Sequence, residues 1–145
     1  MLWQLYLRKG TAYVPTVAQT EAGFYMDIEP VAVVPVTDSW ALENAVKVAM
    51  GKGNPIVPTP TRAAFPKPVV LVYAKVNSWS AFEKDAMNWT IVEKAGGYEI
   101  KPGRKRPDGK GWEADSDRVE SLPLGTTHDE IARRVATLLA QAVVD

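Results

Sequence analysis

Asn88-Trp-Thr-Ile-Val-Glu-Lys-Ala-Gly-Gly-Tyr-Glu-Ile-Lys101 is the stretch on which the fold turns. β-Branched and aromatic residues fill its two arms, and Gly96 and Gly97 lie between them. Glycine reaches the positive φ that tight hairpin turns demand. The stretch therefore reads as two strands, 88–93 and 98–101, closed into a hairpin through 94–97. Toward the C-terminus, 102–111 reads as a polar loop and 119–122 as a short strand. Thr127-His-Asp-Glu130 is a capping box: the threonine oxygen accepts from the Glu130 N–H, and the Glu130 carboxylate reaches back. Ile131, Val135, Leu138, Leu139 and Ala142 then form one apolar stripe, which predicts a helix over about 128–143.

Toward the N-terminus, Ser78 can cap a short helix over 79–85. The continuous apolar run 69–74 reads as a buried central strand. Residues 54–68 carry five prolines, each of which fixes φ and removes a donor, so no regular ladder is expected there. They read as an ordered extended loop or a semi-rigid connector. Asp38 caps a helix over 39–50 with Leu42, Val46 and Ala49 on one face, and Gly51 supplies a left-handed stop. Residues 2–7 alternate, placing Leu2, Gln4 and Tyr6 on one side and Trp3, Leu5 and Leu7 on the other. A strand over 11–16 is ended by Pro15 or set at a sheet edge. Pro30 divides 23–36 into two strands. Trp3, Trp40 and Trp89 are expected in the core. The sum is an α+β fold: one domain over 1–145, a mostly antiparallel or mixed sheet, and about three helices packed on it.

A length of 145 residues suits a single domain, and such a chain folds without metals or disulfides. Seventeen basic residues balance seventeen acidic ones. Zero net charge argues against broad nucleic-acid or membrane-surface binding. The absence of cysteine excludes a disulfide scaffold, a thiolate zinc site and a cysteine nucleophile. Residues 1–10 lack the apolar region of a signal peptide, and no apolar run is long enough to cross a bilayer, so the cytoplasm is the expected compartment.

Catalytic signatures are sparse. No G-x-S-x-G elbow and no phosphate-binding glycine loop occurs. His128 falls in a first helical turn, where capping or packing is the plainer reading. Asp115 and Asp117 read as a solvated acidic turn rather than a metal site, because the twelve-residue calcium-loop pattern is missing. No catalytic residue, metal or cofactor is expected.

The balanced charge hides a mosaic. Residues 11–46 hold Glu21, Asp27, Glu29, Asp38 and Glu43 and no lysine or arginine. Residues 101–110 carry five basic side chains against Asp108, and 113–120 carry four acids against Arg118. Local fields of this kind steer charged partners. Trp112 lies between the basic and acidic segments, and tryptophan is enriched at binding hot spots.

From Ser78 onward the chain resembles the immunity proteins of bacterial contact-dependent growth inhibition systems (the CdiI type). The matching residues, in order, are Ser78-Trp79 with Phe82-Glu83, Trp89 and Ile91, and Tyr98, Ile100, Pro102 and Arg104. Gly109-Lys-Gly-Trp112, Leu122-Pro123, and Asp129-Glu-Ile131 with Val135 and Leu138 follow. The pattern covers a little under half of the chain. It departs at Ala132, where a glycine is expected, and the first 60 residues contain no matching motif. The resemblance implies a cytosolic, non-catalytic protein. It would bind the C-terminal toxin domain of a delivery protein and block its active site; such toxins include nucleases and tRNA-cleaving enzymes.

A nuclease site is lined with cations, and a rigid acidic face with an aromatic anchor suits it. Trp112 with Glu113, Asp115 and Asp117 is the preferred contact. The acid-only stretch 11–46 is a second place. A basic face at Arg104 and Arg106 meeting an acidic partner is the third. Two other classes stay open: a small carboxylate-dependent hydrolase or nuclease using Arg104 and Lys105, and a non-catalytic adaptor or homo-oligomeric scaffold.

Overall fold

Leu2–Arg8 forms strand β1, and its alternation sorts side chains between two faces of a sheet. Trp3, Leu5 and Leu7 enter one core, and Tyr6 enters another. The computed structural model describes residues 1–144. Around β1 are arranged β2 (Thr11–Thr20), β3 (Tyr25–Pro35), β4 (Ile56–Val57), β5 (Ala86–Lys94), β6 (Gly97–Lys105), β7 (Trp112–Ala114) and β8 (Glu120–Pro123). They make one eight-stranded sheet in the order β3-β2-β1-β5-β6-β7, with β4 added to β2 and β8 to β6. All pairings are antiparallel except the two-residue β2–β4 bridge. The fold class is α+β, as the sequence indicates.

Helices α1 (Ser39–Gly51) and α4 (His128–Val144) cover one face. Their apolar stripes, Leu42, Val46 and Ala49 with Ile131, Val135 and Leu139, are buried against Trp3, Leu5, Trp89, Ile91 and Ile100. Asp38 Oδ1 accepts from Ala41 N at 3.1 Å, and Thr127 Oγ1 accepts from Glu130 N at 3.1 Å, so both predicted caps form. Arg134 grips Glu120 through two bonds of 2.7 and 2.9 Å, tying α4 to β8. The other face carries α2 (Val70–Ala74) and α3 (Trp79–Lys84) over Tyr6, Tyr13 and Val31.

Several expectations are corrected. Residues 69–74 are not a central strand but contain the short helix α2, with Val70 and Leu71 buried and Val72 exposed. Trp40 is 75 % exposed, not core, while Trp3 and Trp89 are buried. Strand β2 does not end at Pro15 or lie at an edge; it runs to Thr20 between β1 and β3. Nor does Pro30 divide β3. The register skips from Pro15↔Val31 to Thr16↔Ile28, so the ladder bulges around Glu29 and Pro30 and resumes. The stop after α1 uses Gly53 at φ 65°, not Gly51. The polar loop begins later than expected, because β6 continues to Lys105 and pairs with β7.

The proline-rich segment is fastened at its start. Asn54 accepts from Leu2 N at 3.0 Å and donates to the carbonyls of Leu2 and Val17 at 2.8 and 3.0 Å. Pro55 and Val57 carbonyls accept from Gln19 and Glu21. A short ladder therefore does form there, at residues 56–57 between prolines.

Candidate functional site

The β6–β7 hairpin gathers the residues singled out as a contact surface. Its register sets Arg104 opposite Glu113 and Lys105 opposite Trp112. Arg104 Nε meets Glu113 Oε1 at 3.1 Å, and Arg106 lies 3.7 Å from Asp108. One pair, Arg104 with Glu113, thus joins the basic segment to the acidic one across adjacent strands. Asp115 is half-buried at the foot of a 3₁₀ turn (Ser116–Arg118), and Asp117 projects from that turn, exposed. All six residues lie at one end of the sheet. Lys105 donates to the Lys84 carbonyl at 2.7 Å, fixing the hairpin to the end of α3.

Trp112 does not stand free. It is half-buried, with its ring 6.0 Å from Tyr6 and 5.7 Å from Trp79, edge-on to the latter. Trp79 stacks on Phe82 at 5.4 Å, and Phe82 meets Tyr6 and Tyr13 edge-to-face at 5.5 and 5.8 Å. A continuous aromatic layer runs beneath the hairpin.

At the other margin of this layer sits a polar triad. Tyr6 donates to Asp27 Oδ2 at 2.7 Å, and Gln4 Nε2 donates to Asp27 Oδ1 at 2.7 Å. Burial pushes the Asp27 carboxyl up to about 6, against the two hydrogen bonds that pull it down. Burial also raises the Tyr6 hydroxyl well above its ordinary range, reinforced by the charge of Asp27 and the bond to it. Among the described residues no cation pairs with Asp27.

No protein-family model matches the chain, and no curated protein matches it. Solved structures do. A protein of unknown function from Neisseria meningitidis superposes with TM-score 0.65 at 16 % identity, over 99 % of this chain and 95 % of that one. A chain of a CdiA-CT/CdiI toxin and immunity complex from Yersinia pseudotuberculosis superposes with TM-score 0.63 at 14 % identity, over 97 % and 95 %. The likeness is one of fold, and it extends across the N-terminal half, where the sequence contains no matching motif.

Other titratable groups have structural duties. His128 packs edge-on between Trp3 and Tyr98, at 6.4 and 6.5 Å. Asp129 is drawn below the usual carboxylate range by its bond to Lys47, and Glu99 by its bond to Lys94. No group of three or more metal-ligating side chains converges among the described residues. No helix among them is long and apolar enough to cross a membrane. Reading the sequence alone missed the Gln4–Tyr6–Asp27 triad. Its only trace is the placing of Gln4 and Tyr6 on one side of the first strand together with the acid-only stretch that contains Asp27.

Proposed function

We propose that this chain is an immunity protein. It binds the toxic C-terminal domain of a contact-dependent delivery protein in the cytoplasm and neutralises it by covering its active site, with no catalysis of its own. The observation that carries this reading is the fold shared, along nearly the whole chain, with one chain of a toxin and immunity complex. The ordered matches from Ser78 to Leu138 support it from the side of sequence. The toxin is read as a nuclease, tRNA cleavage included. Its cationic substrate groove would be met by Asp115 and Asp117, with Trp112, Glu113, Arg104 and Arg106 completing the face. Pairing the carboxylates with groove cations offsets the cost of desolvating both. The whole of 1–145 acts as one domain in this role.

The test is co-expression with the toxic domain that this proposal expects to be encoded beside it. Growth is restored, and the two chains elute as one complex on gel filtration. No rescue together with no complex overturns the proposal. Turnover of nucleic acid or phosphoesters by the isolated chain, lost in Asp115→Asn, would replace it with the hydrolase reading.

A further inference from the structure

A small recess opens beside the triad, between the start of β3, α3 and the segment that precedes α2. Its volume is about 210 Å³, below the ~300–1,000 Å³ of sites that enclose drug-sized ligands. Tyr6, Tyr25, Phe65, Pro68 and Trp79 line it, and Asp27 is its one carboxylate. Phe65, which also lines it, stacks on Phe24 at 6.3 Å, and both rings are partly exposed. Each Asp27 oxygen spends one lone pair on Gln4 or Tyr6 and keeps another. A second carboxylate, Glu29, held by Tyr73 at 2.9 Å, lies two residues along β3, and 11–46 contains no basic side chain. Lys67 also lines the recess, but it is exposed and forms no ion pair among the described residues.

An aromatic-walled recess with an unpaired carboxylate is complementary to one kind of group. A guanidinium stacks on aromatic faces and donates in a planar fork to a carboxylate. We infer that the Asp27 recess receives an arginine side chain of a protein partner. The occupant neutralises Asp27 and lies against Trp79 and Tyr6. Lysine fits less well, since its compact, strongly hydrated ammonium cannot use two oxygens and a ring face together. The inference rests on the proposed function for the identity of that partner, which would be the toxin, and not for the chemistry of the recess.

The experiment uses the isolated protein and N-acetyl-arginine methylamide as probe, followed by NMR on the Trp79 indole N–H and the Gln4 side-chain amide. Both signals shift saturably with the arginine probe. The neutral isostere N-acetyl-citrulline methylamide binds ~10-fold or more weakly, and so does the arginine probe to Asp27→Asn. Asp27→Asn keeps the shape of the side chain, and its unchanged spectrum elsewhere establishes that it is folded. Equal binding of citrulline, equal binding to Asp27→Asn, or no saturable shift with arginine overturns the inference. Rescue from the toxin is scored separately. Probe binding with neither rescue nor complex keeps the recess and removes the proposed function, and rescue without probe binding removes the recess alone.

Discussion

Asp27 carries a cost at neutral pH. Its folded-state carboxyl titrates near 6, above the unfolded 3.8, so the folded protein holds this proton more tightly. The stabilisation is complete below the unfolded value and disappears as pH rises through the folded one. Asp27→Asn, which has no charge to desolvate, should therefore gain on the natural protein between pH 5 and 8, by on the order of 2 kcal/mol. Thermal melts of both proteins across that range check it, and a constant gap refutes it. Gly97 is governed by space instead. A Cβ there would lie 2.1 Å from the Leu122 carbonyl oxygen, and its φ of 132° strains any side chain. Gly97→Ala should lose ~3 kcal/mol or more in urea denaturation, because β8 must move off β6. The sequence marked Gly97 as a turn residue, and the contact that makes it irreplaceable comes from a strand 25 residues away. Trp40 lies outside the core for a local reason. At ~100° per residue it lies ~160° from Leu42's side of the helix and faces outward, whatever its hydrophobicity.

At the scale of elements, capping chemistry and periodicity were legible. Both long helices begin at their predicted caps, and the 88–101 hairpin closes in the predicted place. The run 69–74 was not legible, since a short apolar stretch has no period that separates strand from helix. Only its placement over Tyr6 and Phe82 decides, burying Val70 and Leu71 and leaving Val72 in solvent. The three-residue strand β7 depends on packing more than on its ladder. Trp112→Ala should cost ~2–3 kcal/mol by urea denaturation, with Trp112→Phe recovering most of it. Arg104→Ala breaks only an exposed pair and should cost under ~1 kcal/mol. A Trp112→Ala protein as stable as the natural one would mean that the aromatic layer does not hold the hairpin.

Over the whole molecule, class was readable and strand order was not. Helices and strands could be counted along the chain, but the pairing of β1 with β5 joins segments some 80 residues apart and leaves no local trace. The charge mosaic gains its meaning only after folding, when Arg104 and Glu113 meet and Asp117 forms no ion pair among the described residues. If the proposed function holds, Asp117→Lys should weaken the toxin complex while leaving the melting temperature nearly unchanged, since an exposed charge contributes ~0–1 kcal/mol. Undiminished binding on a sensor chip would place the contact elsewhere. The β1–β5 seam also dictates timing. Seven residue pairs, from Leu2↔Val92 to Arg8↔Ala86, cannot zip until the ribosome has released residue 92. Until then the β1 edge of the first three strands has no neighbour, so the centre of the sheet closes only after about two thirds of the chain is made.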